Sequence, residues 1–145
     1  ESVMKIAIAS DHGGFELKER LKQHYANMNL TDLGTYSTES VDYPDIADKM
    51  AQEILAQKAN LGILICGTGI GISIAANRHK GIRAALIYSV EVARLAKQHN
   101  NANVIVFGGR TMKFEDVVAE IDAFLAAEYE GGRHQRRLDK MDRGI

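Results

Sequence analysis

The amino-acid sequence has little of several features that mark specialised classes of protein. Its 145 residues include one cysteine, which cannot form a disulfide within the chain, so we expect a reducing, cytoplasmic setting. No apolar run approaches the ~20 residues that a membrane span needs, so no membrane partner is predicted, and we expect no secretory signal peptide. CxxC, HExxH and repeated His/Asp spacings do not occur, so no metal or cofactor is predicted.

Net charge is also small. The formal value of -1 at pH 7 argues against a general nucleic-acid binder. What is present is the composition of a globular protein, with 46% hydrophobic and 26% charged residues. The length suits one domain with a sizeable core, and we expect residues 1–145 to form it. Glu1-Ser2-Val3, which precede Met4, are expected to be a remnant outside the native sequence.

Positive charge is concentrated at the end of the chain, in residues 131–145. This segment contains five Lys or Arg residues and two aspartates, so its net charge is +3 and that of residues 1–130 is -4. Arg133 and Arg137 are four positions apart, so a helical turn would place both on one face. Two converging guanidinium groups suit a phosphate. The alternative interpretation is a solvated basic tail.

Apolar runs alternate with segments of helical spacing along the chain. The predicted strands are residues 4–9, 29–33, 61–66, 82–88 and 103–107. The predicted helices are residues 15–25, 44–58, 70–78, 90–99 and 114–127. This alternation predicts a five-stranded parallel sheet that is covered on both faces. Right-handed crossovers make it a doubly wound, Rossmann-like α/β fold, a three-layer α/β/α sandwich.

The turn after the third predicted strand is the most informative segment. The strand ends in Cys66, and glycines follow at positions 67, 69 and 71. Glycines let backbone N–H groups approach a ligand, and a helix start favours an anion. A thiol beside such an anion hole ionises more readily, so a base and an oxyanion stabiliser would share this segment. Dinucleotide and Walker A motifs do not fit, because both need glycine at Ile72. A buried core thiol is the alternative.

Polar residues also follow the other predicted strands. Asp11 and His12 follow the first strand and Arg110 follows the fifth, so the sheet topology brings them to the same edge as Cys66. His99 ends the helix after strand four and therefore lies at the opposite edge, from which it could reach the site of a second subunit. The alternatives are a helix cap for Asp11, an ordinary loop histidine for His12 and a favourable helix-end charge for His99.

The chain resembles the type B ribose-5-phosphate isomerases, a family that also includes galactose-6-phosphate isomerase subunits. The matching segments are residues 9–15, 42–44, 65–71, 75–77, 81–84, 99–100 and 129–134. They span almost the whole chain in one register. The resemblance implies metal-independent interconversion of ribose 5-phosphate and ribulose 5-phosphate by a single sugar-phosphate isomerase domain. It also implies a homodimeric core, or a tetramer built on it, with active sites between subunits.

The resemblance further implies roles for individual residues. Cys66 would be the base, Thr68 would assist at the substrate oxygens and His99 would open the sugar ring. The residues expected to bind the substrate are Asp11, His12, Gly67, Gly69, Ile70, Gly71, Ser73, Asn100, Arg110, Arg133 and Arg137.

Three other functions remain open from the sequence. The first is an isomerase of a six-carbon sugar phosphate, such as allose 6-phosphate or galactose 6-phosphate, in a longer pocket. The second is a non-catalytic sugar-phosphate binding module, which would need no base at Cys66. The third is a redox-sensing thiol protein, which usually needs a second, resolving cysteine.

Overall fold

Five parallel strands form one sheet at the centre of the protein. The computed structural model describes residues 4–144, so Glu1-Ser2-Val3, the expected remnant, lie outside the described residues. The strands are β1 (Ile6–Ser10), β2 (Thr31–Asp32), β3 (Leu61–Cys66), β4 (Ala84–Leu86) and β5 (Val104–Gly108). Their order is β2-β1-β3-β5-β4, and every neighbouring pair is parallel. The predicted five-stranded parallel sheet is confirmed.

Helices cover both faces of this sheet. They are α1 (Phe15–His24), α2 (Tyr43–Leu55), α3 (Ile70–Asn77), α4 (Val90–Gln98), α5 (Phe114–Ala126) and α6 (Arg133–Asp142), with short 3-10 turns at His12–Gly14 and Ala26–Met28. Ile8 and Ile63 pack with α1, α4 and α5 on one face. Ala9 and Leu64 pack with α2 and α3 on the other. Because strand side chains alternate between faces, continuous apolar strands fill two cores, and the three-layer sandwich is confirmed.

Two strands are shorter than the sequence predicts. The second strand, predicted at 29–33, is limited to β2 because Asn29 adopts a left-handed conformation (φ 51°) at the end of a 3-10 turn. The fourth, predicted at 82–88, is limited to β4 because Ile82 still belongs to the turn after α3, where its N–H donates to the carbonyl of His79 (3.1 Å). Both strands lie at the edges of the sheet, where only one neighbour fixes their length.

Two helices also differ from the sequence prediction. The helix predicted at 44–58 ends at Leu55, and Gln57 then turns the chain with a left-handed φ of 60°. Most of the basic tail forms helix α6, for which the sequence predicted only a possible helical turn, and Arg133 and Arg137 share one side of it. Among the helices of residues 4–144, none combines the length and apolar character needed to cross a membrane.

A buried ion cluster joins α1 to β2. The Lys18 side chain has no exposed surface, and its Nζ lies 2.6 Å from Asp32 Oδ2 and 2.9 Å from Glu19 Oε2. Lys22 Nζ contacts the same Asp32 oxygen at 2.8 Å, and Gly34 N donates to Asp32 Oδ1 at 2.8 Å. Burial alone would raise the pKa of Asp32, but these hydrogen bonds outweigh it and hold that pKa below its usual range.

The topology places the predicted site residues at two edges of the sheet. The carboxyl edge contains the loops after β1, β3 and β5, which are neighbours in the sheet. The amino edge contains the end of α4, where the carbonyl of Asn100 accepts from Arg83 Nε (3.2 Å) just before β4 begins. The loop before α6 joins it there, because Glu130 N donates to the carbonyl of Gln98 (2.9 Å).

Candidate active site

The only thiol lies at the end of β3, at the carboxyl edge. Cys66 is 5% exposed, and the backbone N–H of Gly69 donates to its sulfur at 3.2 Å. Gly69 has φ +82°, and a Cβ there would lie 2.6 Å from Leu86 Cδ1 and 3.0 Å from the carbonyl oxygen of Phe107. Only glycine fits this turn, which holds a hydrogen-bond donor against the sulfur and stabilises negative charge on it.

The same turn leads into the first turn of α3, whose backbone N–H groups have no helical partners. Thr68 Oγ1 accepts from Ile70 N at 3.2 Å, and Thr68 is exposed to the space in front of the helix. The Ser73 hydroxyl donates to the carbonyl of Ile70 (2.8 Å), so it braces the helix start. The helix dipole and the N–H groups of Gly71 and Ile72 in this first turn favour an anion at this position.

Three loops meet beside the thiol at very short range. A Cβ on Gly109 would lie 2.6 Å from the carbonyl oxygen of Gly13, so the β1 and β5 loops touch through their backbones. Gly109 N donates to the carbonyl of Cys66 (2.8 Å), and Arg110 N donates to that of Gly67 (2.9 Å). A Cβ on Gly67 would lie 3.4 Å from Arg110 Nη1, which places this guanidinium against the turn.

Asp11 and His12 lie in the loop after β1. Asp11 is 6% exposed, and its Oδ1 accepts from Gly13 N at 2.8 Å, so the capping interpretation of this residue is observed. His12 Nδ1 accepts from Val41 N at 3.2 Å. In the neutral ring the proton is therefore on Nε2, which leaves that nitrogen as a donor toward a ligand.

The structure divides the predicted site residues into two sets. The carboxyl-edge set is Asp11, His12, Cys66, Gly67, Thr68, Gly69, Ile70, Gly71, Ser73 and Arg110. The amino-edge set is His99, Asn100, Arg133 and Arg137. Within one chain, the topology keeps the thiol and glycine turn of the first set apart from the imidazole and the arginine pair of the second.

At the amino edge, the imidazole of His99 lies between α4 and α6. Its ring stacks on that of His134, with centroids 4.5 Å apart and planes inclined by 18°. Its Nε2 lies 3.8 Å from Glu130 Oε1. Arg133 and Arg137 are exposed on α6 beside this group. The set therefore presents an imidazole and two guanidinium groups outward.

Comparison with known proteins decides the family. A family model described as Ribose/Galactose Isomerase matches residues 6–141. The chain belongs to the ribose/galactose isomerase family. It is 45% identical to ribose-5-phosphate isomerase B of Escherichia coli, over 94% of this chain and 93% of that protein.

Two solved structures are similar to this isomerase over almost the whole chain. A ribose 5-phosphate isomerase from Thermotoga maritima superposes with a TM-score of 0.93 and 53% identity, covering 98% of this chain and 99% of that one. Ribose-5-phosphate isomerase B from Mycoplasma genitalium, with bound ribulose 5-phosphate, gives a TM-score of 0.91 and 44% identity, covering 99% and 97%. The family resemblance and the fold predicted from the sequence are both confirmed.

Sequence reasoning assigned no role to three residues that lie in these two regions of the isomerase. Tyr43, at the start of α2, packs on Gly71, where a Cβ would lie 2.6 Å from its ring. Glu130 and His134 surround His99 at the amino edge. All three fall within segments that carry the family resemblance, but spacing along the chain gave no sign of their contacts.

Proposed function

We propose that this isomerase interconverts ribose 5-phosphate and ribulose 5-phosphate, with Cys66 as the base. The observation that carries the proposal is the hydrogen bond from Gly69 N to Cys66 Sγ inside an anion-binding turn. It supports the proposal because the thiol and backbone N–H donors lie within one short segment. The similar Mycoplasma genitalium protein holds ribulose 5-phosphate, which supports a five-carbon sugar phosphate as the substrate.

In the proposed reaction the thiolate removes the proton from C2 of the open-chain aldose. The C–H electron pair becomes the C1–C2 double bond, and negative charge moves to the carbonyl oxygen. Backbone N–H groups at the start of α3, together with the Thr68 hydroxyl, stabilise this enediolate, and one such donor can contribute ~3 kcal/mol. The 2-hydroxyl proton then passes to O1, the C1–C2 double-bond electrons take the proton back from the Cys66 thiol at C1, and the carbonyl forms at C2, which yields the ketose and restores the thiolate.

We further propose that each site combines both sets across two subunits of a homodimer. His99 of the second subunit would open the furanose ring by acid–base transfer. Asn100 would bind sugar hydroxyls, and Arg133 and Arg137 would bind the phosphate. Support comes from the exposed apolar side chains of Ile70 and Ile74 on α3, which are 53% and 57% exposed beside the anion-binding turn. A two-fold dimer would cover them.

The remaining carboxyl-edge residues would act on the substrate in the same subunit. Asp11, His12 and Arg110 surround the turn and would bind the sugar phosphate. The proposed chemistry uses a thiol, an imidazole and backbone donors, so it needs neither a metal nor a cofactor, and we predict full activity after exhaustive chelation. The proposed base must be a reduced thiol, and we therefore continue to predict a reducing, cytoplasmic setting.

The test is an isomerase assay on a panel of ribose 5-phosphate, allose 6-phosphate and galactose 6-phosphate. We expect the highest kcat/KM with ribose 5-phosphate, and solvent deuterium at C1 of the ketose product. A preference for a six-carbon substrate would replace the five-carbon assignment. Binding of all three without turnover would instead identify a non-catalytic module.

A further inference from the structure

The cluster around His99 has a composition that acid–base chemistry alone does not require. Three side chains converge there, His99 at the end of α4, Glu130 in the loop before α6 and His134 in the first turn of α6. Their ligand-type atoms all lie within 4.8 Å of one another. Two imidazoles and one carboxylate form a donor set that divalent transition metals prefer.

The distances suit a tetrahedral zinc site. Zinc binds imidazole nitrogen and carboxylate oxygen at about 2.0–2.2 Å, so neighbouring ligand atoms in a tetrahedron lie about 3.3–3.5 Å apart. Glu130 Oε1 lies 3.4 Å from His134 Nε2 and 3.8 Å from His99 Nε2. The two imidazole rings are stacked, with planes inclined by 18°, so one ring would have to rotate out of the stack for both nitrogens to aim at one ion.

One of these ligand atoms is buried and makes no hydrogen bond with good geometry. Within residues 4–144, His134 Nε2 is among the few buried polar side-chain atoms without a hydrogen bond, and the residue is 6% exposed. A buried imidazole nitrogen is costly to leave unpaired. This nitrogen faces the Glu130 carboxylate, which points to a ligand that would satisfy both.

The backbone holds the cluster in place before any ligand arrives. Glu130 N donates to the carbonyl of Gln98 (2.9 Å), which ties the loop to the residue before His99. Gly131 and Gly132 then adopt positive φ values of 67° and 57°, and His134 N donates to the carbonyl of Gly131 (3.1 Å). Ligands held in this way lose little freedom on binding, which favours affinity.

From these observations we propose that His99, Glu130 and His134 bind a divalent transition-metal ion of the zinc type. The ion would bind Nε2 of His99 and so compete with proton transfer at that imidazole. Zinc would therefore inhibit ring opening, a consequence that, unlike the binding itself, rests on the proposed function. The site would make the isomerase sensitive to free zinc without making it metal-dependent.

Binding is tested directly on the full chain, after stripping with chelator and removal of the chelator. Zn²⁺ is titrated by calorimetry, and Co²⁺ is titrated by visible absorption, which reports tetrahedral coordination. We expect one site per chain. Glu130→Gln and His134→Asn should each weaken binding at least about 10-fold, because a direct ligand matters no less than an outer-shell partner. Glu130 is 47% exposed in its side chain, so its variant should fold even if the variant of buried His134 does not.

Two controls separate this cluster from other metal-binding groups. His79→Asn removes a surface histidine that pairs with Asp48 at 2.7 Å, and Cys66→Ala removes the thiol. Both should bind Zn²⁺ as the unmodified chain does. Loss of binding in either control with retention in Glu130→Gln, or equal affinity in all variants, would overturn the proposal.

Inhibition is a separate measurement. Zn²⁺ should inhibit the unmodified isomerase at the concentrations that fill the site, and inhibition should shift at least about 10-fold in Glu130→Gln. Stoichiometric binding without any isomerase activity would refute the proposed function and leave the metal site standing. Normal isomerase activity without Zn²⁺ binding would refute the metal site and leave the proposed function standing.

Discussion

The two edges of the sheet hold functional residues by different means. At the carboxyl edge the chemistry lies in the backbone, because Gly69 N contacts the Cys66 sulfur and the loops after β1 and β5 touch through their glycines. At the amino edge it lies in side chains of α4 and α6, which are partly exposed. One edge offers a thiol and backbone N–H donors, and the other offers an imidazole and two arginines. Under the proposed function, each edge supplies groups that the other lacks.

Removal of the thiol should break the carboxyl edge with the largest effect. A general base contributes typically 10²–10⁴-fold, so we expect Cys66→Ala to lower kcat by about 10³-fold. Affinity for a sugar-phosphate analogue should stay within a few-fold, because the arginine and backbone contacts remain. Steady-state kinetics and calorimetry measure the two quantities. A kcat close to the unmodified value would show that another group is the base.

The second prediction compares the ion pairs beside the two edges. Asp32→Asn leaves the buried Lys18 ammonium with Glu19 alone, and loss of one partner of a buried pair typically costs 3–5 kcal/mol. Because Glu19 remains, we expect the free energy of unfolding to fall by about 3 kcal/mol. Asp142→Asn, the control, removes a more exposed partner of Arg83 and should change it by about 1 kcal/mol or less.

The same comparison has a pH dependence of known sign. Hydrogen bonding to Lys18 lowers the pKa of Glu19, and hydrogen bonds from the two lysines outweigh burial to lower that of Asp32. Carboxyls whose pKa is lower in the folded state add stability that is complete above the unfolded value, about 4, and is lost as the pH falls through the folded value. Urea unfolding from pH 6 to pH 2 should show this loss, which Asp32→Asn should reduce. If the free energy of unfolding changed with pH equally in Asp32→Asn and in the unmodified chain, the contribution of Asp32 would be refuted.

The third prediction separates the effect of close packing around Gly69 from the ordinary cost of a positive φ. Gly69→Ala adds a methyl group that would meet Leu86 and the Phe107 carbonyl at a φ of +82°, so we expect a loss of about 2 kcal/mol in stability and a lower kcat. Gly131→Ala is the control, because its φ is +67° and the only atom within 4 Å of the added Cβ is Tyr129 Cε2, at an ordinary contact distance of 3.9 Å. It should lose about 1 kcal/mol, the usual cost of a positive φ in a residue with a side chain. Equal losses would mean that close packing around Gly69 contributes nothing.

The sequence predicted the fold well because its signals are local and repeated. The apolar run of β3 matches its predicted bounds at 61–66, since burial on both faces requires an unbroken apolar strand. The lengths of the two edge strands were overestimated, because their ends depend on tertiary turns such as the one at Ile82. The base role of Cys66 was predicted both from its glycine turn and from the family resemblance, the ring-opening role of His99 was implied by the resemblance, and both remain predictions. The contact of His99 with Glu130 and His134 depends on how α4 meets α6, which no spacing reveals.

The last prediction tests whether the two edges form one site across subunits. Cys66→Ala damages the carboxyl edge, and His99→Ala damages the amino edge, so each variant alone should be inactive on the ring form of the substrate. If the site is shared, a dimer of one variant with the other has both lesions in one site and neither in its second site.

Random reassociation of equal amounts makes half of the dimers mixed, and half of their sites are intact. Activity should therefore recover to about a quarter of the unmodified value, from this symmetry. The variants carry different affinity tags, so that mixed dimers can be isolated and counted. Mixed dimers that form without any recovery would show that Cys66 and His99 act within one chain. The two edges would then have to meet within one subunit.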